Sequence, residues 1–124
     1  MFDPKTADSL MLAYLGDAVF EVLVRERLFL TTPEGNTEAN RKALEFVTAS
    51  AQVKALDKLL PLLTEEEEDV FRRGKNSKTK NTPKSSTRYD YRKATGLEAL
   101  FGYNYLIGKN ERNRELFEIA FPVE

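Results

Sequence analysis

Apolar positions along the chain recur at three- and four-residue spacing, and no stretch alternates apolar and polar residues with a period of two. This pattern predicts helices and no sheet. Prolines, glycines and capping residues divide the chain into segments of helix length. The sequence therefore predicts an all-α fold, organised as one domain over residues 1–124 without an internal repeat.

The apolar segments and their flanking residues place six helices. Their predicted ranges are about 9–29, 37–47, 50–63, 65–73, 93–107 and 110–121. Thr37 is the predicted N-cap of the second helix, and Thr64 with Glu67 forms a predicted capping box for the fourth. Gly74 is predicted to end the fourth helix and Gly108 to separate the last two.

Two of these helices are apolar on nearly every face. Within Leu10–Val24 the only charged residues are Asp17 and Glu21, and within Ala94–Ile107 the only one is Glu98. Helices of this kind are buried, so their carboxylates need a cation, hydrogen bonds or a proton to offset lost hydration. If the two helices pack together, Glu98 meets Asp17.

Composition narrows the chemistry that such carboxylates can perform. The 124-residue chain has no His and no Cys, which excludes thiolate and imidazole zinc sites and both Ser-His-Asp and Cys-His catalysis. Converging carboxylates favour a hard cation such as Mg²⁺ with several bound waters. A structural interpretation stays open, because Glu21 with Arg25 forms an i,i+4 pair, and Gly16 and Gly102 also suit ordinary tight packing.

The net charge of −1 conceals a strong segregation of charge. Residues 72–93 contain nine basic residues and one acidic residue, a balance of +8, whereas the remainder of the chain carries −9. The polar stretch 75–88 predicts a mobile loop. Such a block favours a polyanionic partner, and the lack of base-reading motifs favours recognition of a duplex by its backbone and shape. A solvated surface loop is the alternative.

The chain shows no secretory signal, because its opening residues are polar. Asp17 and Glu21 interrupt the long apolar run, which argues against a membrane span. We expect a cytoplasmic protein without a membrane partner.

Two segments resemble a known family. Leu15–Glu21 resembles the signature helix of ribonuclease III domains, and Leu97–Leu106 resembles their second acidic helix. The likeness extends to Tyr14, 64–68, 73–78 and 82–84. It is closer to the small branch called Mini-ribonuclease III, which consists of the catalytic domain without a double-stranded-RNA-binding domain, as expected for a chain that ends at Glu124.

The resemblance implies an all-helical, Mg²⁺-dependent endonuclease that acts as an obligate homodimer and cuts double-stranded RNA to leave 5′-phosphate ends. In this branch the usual substrate is the base-paired stem that joins the ends of precursor 23S ribosomal RNA. Asp17 matches the catalytic aspartate and Glu98 the metal-binding glutamate, so both are expected to hold Mg²⁺. Tyr14 matches an aromatic residue at the dimer contact.

Full-length ribonuclease III has further carboxylates four residues before the catalytic aspartate and three before the metal-binding glutamate. Here Ala13 and Thr95 stand at these positions. The resemblance therefore implies a metal held by fewer protein oxygens and more waters. Thr95 is expected to orient a metal-bound water, and Glu21 to accept a hydrogen bond beside the metal ligands.

The 72–93 segment is expected to bind RNA phosphates. The predicted RNA-binding residues are Arg72, Arg73, Lys75, Lys78, Lys80, Lys84 and Arg88. Two other function classes stay open on the residues alone. One is a non-catalytic helical RNA-binding or ribosome-assembly module, for which the basic segment suffices. The other is a structural or protein-interaction domain in which Asp17 and Glu21 pair with arginines.

Overall fold

The computed structural model describes residues 3–77 and 88–123, and within these ranges it contains helices and no strand. The helices are α1 (Ser9–Thr31), α2 (Asn36–Val47), α3 (Ala49–Leu59), α4 (Glu65–Lys75), α5 (Arg88–Leu106) and α6 (Asn110–Ala120). Short 3₁₀ turns precede α1 and follow α3. The predicted all-α class is confirmed. In the described part of the chain, no helix is long and apolar enough to cross a membrane.

Most helix boundaries follow their capping residues. The predicted capping box is present, with Thr64 Oγ1 accepting a hydrogen bond from the Glu67 N–H at 3.1 Å and Glu67 Oε1 accepting one from the Thr64 N–H at 3.0 Å. The prediction of Thr37 as N-cap is wrong, because α2 already begins at Asn36 after Gly35. Gly35 has a φ of 107°, a backbone conformation that turns the chain into the helix without a capping side chain.

The prediction that Gly74 ends α4 is also wrong. Gly74 is buried inside the helix, which continues to Lys75. A Cβ at Gly74 would lie 2.8 Å from Ala99 Cβ and 3.0 Å from Gly96 Cα, so the glycine permits α4 to pack closely on α5. Glycine ends a helix where the backbone must adopt a left-handed conformation. Inside a helix it instead permits close packing, because it has no side chain.

Both end residues of the predicted loop 75–88 belong to helices in the structure. Lys75 belongs to α4, and α5 already includes Arg88, ahead of its predicted start at Lys93. The first turns of α5 contain mostly polar residues, so the pattern of apolar positions did not indicate that they are helical. Residues 78–87 lie outside the described residues, and so the mobile-loop prediction falls largely outside the structure.

The core is built around α5, whose residues 94–97 and 99–104 are buried. It packs against α1, α3, α4 and α6. Val24 of α1, Leu56 of α3, Leu100 of α5 and Leu116 of α6 meet in one cluster and are fully buried. Each such side chain contributes about 1.5–3 kcal/mol to folding. The packing fixes α1 and α5, the two helices that carry the unusual carboxylates, against each other.

A buried ion pair joins α4 to α6. The Glu67 carboxylate, 4% exposed, accepts hydrogen bonds from Arg112 Nε and Nη2, each at 2.9 Å, and from Asn104 Nδ2 at 3.1 Å. Arg112 also donates to the Leu62 carbonyl at 2.9 Å. Burial by itself raises the pKa of Glu67, but these hydrogen bonds and the charge of Arg112 lower it to about 2. Glu67 is therefore ionised, and it holds α4 in place.

Candidate active site

Helices α1 and α5 cross with their backbones in contact. A Cβ at Gly16 of α1 would stand 1.6 Å from the Glu98 carbonyl oxygen, and a Cβ at Gly102 of α5 would stand 2.1 Å from the Leu12 carbonyl oxygen. No side chain separates the helices at these points. The glycines that the sequence marked as candidates for close approach thus form the crossing itself.

The crossing brings Asp17 and Glu98 together. Asp17 follows Gly16 directly, and its carboxylate lies within hydrogen-bonding range of the Glu98 carboxyl group. Asp17 is exposed, whereas Glu98 is partly buried. Burial raises the pKa of Glu98 to about 8, and the hydrogen bond with Asp17 and its negative charge contribute in the same direction. Glu98 therefore holds a proton at neutral pH when no cation neutralises the site.

This pair fits the requirements of a hard divalent cation. Two carboxylates offer oxygen ligands, and among the described residues no cation lowers the raised pKa of Glu98. Among residues 3–77 and 88–123, no group of three or more Asp, Glu, His or Cys side chains could hold a metal ion. A cation at Asp17 and Glu98 would therefore keep several of its waters, as Mg²⁺ commonly does.

The two predicted supporting residues have other contacts. Glu21, one turn beyond Asp17, accepts a hydrogen bond from Arg25 Nε at 3.0 Å. Thr95, one turn before Glu98, is buried and donates its hydroxyl hydrogen to the Tyr91 carbonyl at 2.9 Å. The structure thus places both residues beside the carboxylate pair, with side-chain contacts that serve their own helices.

The described basic residues of the predicted RNA-binding segment lie at two helix ends. Arg72, Arg73 and Lys75 form the last turn of α4, and Arg88 lies in the first turn of α5. Lys75 Nζ lies 5.9 Å from the centre of the Phe71 ring. Three further predicted RNA-binding residues lie outside the described residues: Lys78, Lys80 and Lys84.

The basic end of α4 packs on α5, the helix that carries Glu98. A Cβ at Gly96 would lie 2.7 Å from the Phe71 carbonyl oxygen, so α4 and α5 also touch through backbone atoms. Gly96 stands two residues before Glu98 on the same helix. Residues two apart on a helix face roughly opposite sides, so α5 itself lies between the α4 contact and the Glu98 side chain.

An exposed apolar stripe runs along α1 beside Asp17. Tyr14, the predicted dimer contact, is 77% exposed, and it shares one helix face with Met11, Val22 and Phe29, which are 62%, 59% and 86% exposed. Their positions, at spacings of three, eight and seven residues, lie on one side of the helix, so they form an exposed apolar face that is not an unbroken row. The prediction that α1 is a buried helix is wrong for this face, because these side chains and Asp17 are solvent-exposed in the single chain.

Two sets of ion pairs in the α4 region were not predicted from the sequence. The Glu67–Arg112 pair joins residues far apart in the chain, and no local pattern signals it. Asp69 accepts hydrogen bonds from both Arg72 and Arg73. Its three- and four-residue spacing from these arginines would have predicted both pairs.

Comparison with known proteins places this arrangement in a family. Residues 10–109 match the family model of the Ribonuclease III domain. A Mini-ribonuclease 3 of Symbiobacterium thermophilum is 47% identical over 118 residues, covering 95% of this chain and 91% of that protein. A Mini-ribonuclease 3 of Brevibacillus brevis is 40% identical over 121 residues, covering 98% and 90%.

A structural comparison agrees. A crystal structure of a protein from Fusobacterium nucleatum matches with a TM-score of 0.82 and 33% sequence identity, covering 93% of this chain and 92% of that chain. The family match includes both helices that supply the carboxylate pair. The chain therefore belongs to the ribonuclease III domain family, in its Mini-ribonuclease III branch, and is a ribonuclease III-type endoribonuclease.

Proposed function

We propose that this endoribonuclease hydrolyses double-stranded RNA with Mg²⁺ held by Asp17 and Glu98. The observation that carries the proposal is the convergence of these two carboxylates at a crossing formed by glycines. Two acids placed together in a partly buried position destabilise the metal-free protein. Such an arrangement is typical of a functional site.

Glu98 and Asp17 have different roles in the proposed site. Glu98, on the buried side, must lose its proton to hold the cation, and Asp17 faces solvent, where a phosphate can approach. When bound, the cation supplies Lewis-acid stabilisation of the phosphate and activation of water. The chain has no His, so no imidazole takes part in proton transfer. The expected products carry 5′-phosphate and 3′-hydroxyl ends.

The proposed RNA contacts follow the segregation of charge. The basic last turn of α4 and the first turn of α5 would bind phosphates, together with Lys78, Lys80 and Lys84 of the connecting segment. Phosphate contacts position a duplex without reading its sequence. The fixed packing of α4 on α5 supports this role, since it would hold the bound backbone at a constant distance from Glu98.

The proposed active form is a homodimer that uses the stripe of Met11, Tyr14, Val22 and Phe29. Four large apolar side chains on one helix face are costly to leave in water, and a twofold contact would cover them. Asp17 borders the stripe, so a dimer would carry two carboxylate pairs, one for each strand of a duplex. The dimer is proposed as the form that cuts both strands.

The proposed natural substrate is the base-paired stem that joins the ends of precursor 23S ribosomal RNA, processed in the cytoplasm. Its support is membership of the Mini-ribonuclease III branch. A stem of this kind is a duplex that a protein can recognise by its backbone and shape. Incubation with a precursor transcript should cut within the stem, whereas cutting only outside it would contradict the assignment.

The central experiment compares wild type, Asp17→Asn and Glu98→Gln on a long RNA duplex, with Mg²⁺ or with EDTA. Cleavage by the wild type with Mg²⁺ alone is expected, and both variants should bind the duplex but leave it intact. Wild-type cleavage rates from Asp17→Asn would contradict the proposed site. Binding that ignores Mg²⁺ and leaves the RNA intact would instead support a non-catalytic RNA-binding module.

A further inference from the structure

Asp69 lies between two arginines on the face of α4 proposed to bind RNA. Arg72 Nη2 donates to Asp69 Oδ1 at 2.6 Å, and Arg73 Nε donates to Asp69 Oδ2 at 3.1 Å. Both carboxylate oxygens are therefore engaged with guanidinium groups. The Asp69 side chain is 46% exposed and the Arg72 side chain 55%, so the cluster faces solvent.

The surroundings of Asp69 add negative charge. It borders an open groove whose ionisable side chains include four carboxylates and three cations. These side chains are Glu65, Glu66, Glu68, Asp69, Lys5, Arg72 and Arg73. A phosphate that reaches Arg72 or Arg73 must therefore approach several carboxylates, and Asp69 most closely.

A carboxylate and a phosphate bind the same guanidinium atoms. Arginine recognises both through parallel N–H donors, so an oxygen of Asp69 occupies a position that a phosphate oxygen would take. Exposed ion pairs are weak and exchange readily. Asp69 is thus a competitor that phosphate can displace at a small cost.

We propose that Asp69 limits the affinity of this protein for RNA by competing with backbone phosphates for Arg72 and Arg73. The inference rests on the proposed RNA binding by α4. A limited affinity has a consequence for turnover, because a cut duplex keeps most of the phosphates that held the intact one. Weaker binding at α4 speeds the release of product.

The test compares Asp69→Asn with Glu65→Gln, which removes the same charge from the same helix but from a residue for which no ion pair is seen in the described structure. Affinity is measured in EDTA for an RNA duplex and, separately, for inorganic polyphosphate. Asp69→Asn is expected to bind both probes about two- to fivefold more tightly than Glu65→Gln, the range set by a weak exposed pair. Asp69→Ser serves as a second variant if Asp69→Asn folds poorly.

The affinities of Asp69→Asn and Glu65→Gln are also compared in a protein that carries both Arg72→Gln and Arg73→Gln. This comparison completes a mutant cycle. There the difference between Asp69→Asn and Glu65→Gln should disappear. Equal affinities of the two variants in the wild-type background would overturn the competition, since only net charge would then matter. Weaker binding by Asp69→Asn would also overturn it, because Asp69 would then orient the arginines for phosphate.

Kinetics with Mg²⁺ separate binding from chemistry. Asp69→Asn should lower KM and slow product release while leaving the single-turnover cleavage rate unchanged. A raised KM would overturn the inference. Failure of the wild type to bind RNA while it binds polyphosphate would overturn the proposed function alone, and the polyphosphate affinities would still decide the role of Asp69.

Discussion

Gly16 of α1 lies directly against the backbone of Glu98 in α5, where an added Cβ would stand 1.6 Å from the carbonyl oxygen. Backbone atoms on both sides leave no flexible side chain that could move away. The contact between the two helices therefore sets the separation of the Asp17 and Glu98 backbones.

Gly16→Ala should lower the free energy of unfolding by about 3 kcal/mol and abolish cleavage, because the helices must separate to admit the methyl group. Urea unfolding and a duplex-cleavage assay measure the two effects. Gly108→Ala is the control, since nothing lies within 4 Å of its added Cβ and its φ of +79° imposes only backbone strain. Its expected cost is about 1–2 kcal/mol, with cleavage retained. Wild-type stability of Gly16→Ala would contradict the contact.

Glu98→Gln should stabilise the metal-free protein at alkaline pH. The pKa of Glu98 is about 8 in the folded chain against an ordinary value of 4.5, so the free energy of unfolding falls as pH rises between these values. In EDTA the variant should gain about 1–3 kcal/mol over wild type near pH 8 and little near pH 4.5. Thermal melting across this range measures the gain.

Thermal melting is then repeated with Mg²⁺ for the wild type and for Glu98→Gln. The cation should raise the melting temperature of the wild type at alkaline pH, and it should not raise that of Glu98→Gln. Glu65→Gln removes a carboxylate elsewhere and should keep the wild-type pH profile. An equal gain for Glu98→Gln at both ends of the pH range would show that the pKa of Glu98 is not raised in the folded protein.

Arg112→Ala should lower the free energy of unfolding by about 3–5 kcal/mol, because it leaves Glu67 ionised and buried without its cation. Chemical denaturation measures the loss. The pKa of Glu67, about 2, lies below its ordinary value of 4.5, so its contribution is complete above about pH 4.5 and disappears as pH falls toward 2. Arg41→Ala removes an exposed partner of Glu38 and should leave the free energy of unfolding nearly unchanged.

Val22→Arg should convert the protein from dimer to monomer in analytical ultracentrifugation. It places a charge in the middle of the apolar stripe on α1, and a twofold contact would bring two such charges together. Leu44→Arg, on α2, changes a residue of similar exposure away from the stripe and should leave the mass unchanged. A wild-type monomer at micromolar concentration would contradict the proposed assembly.

Reversing the charge of Lys78, Lys80 and Lys84 to Glu should weaken duplex binding and flatten its dependence on salt. Each phosphate contact contributes about 0.9 to the slope of log affinity against log salt concentration. A titration in EDTA over a range of salt measures this slope. An unchanged slope would show that these lysines do not contact phosphates, whatever the change in affinity.

The sequence predicted the helical class and the meeting of Asp17 with Glu98, because two helices that are mostly apolar pack against each other and bring their isolated carboxylates to one crossing. It also predicted the capping box at Thr64, whose signal is local. The predictions for Thr37 and Gly74 are wrong because each depends on the role of a glycine. Gly35 turns the chain into α2, and Gly74 packs against α5. A glycine supports either a turn or a close helix contact, and only the packed neighbour decides between them.

Long-range polar contacts were beyond the reach of the sequence. Nothing in the residues around Glu67 indicates that Arg112 will pair with it, since the pairing depends on the arrangement of α4, α5 and α6. The roles of Glu21 and Thr95 beside a bound cation stay predictions. Their hydrogen bonds to Arg25 and to the Tyr91 carbonyl are now established as the contacts that such a role would have to preserve.

The placement of Gly96 and Glu98 on one helix makes α5 a fixed spacer between the α4 contact and the carboxylate pair. Two residues of helix separate them by about 3 Å along its axis. One residue inserted between them would turn Glu98 by about 100° away from Asp17. Residues inserted between α4 and α5 would leave that spacing unaltered. A change in the length of α5 between Gly96 and Glu98 would therefore separate the carboxylate pair even if every side chain were kept.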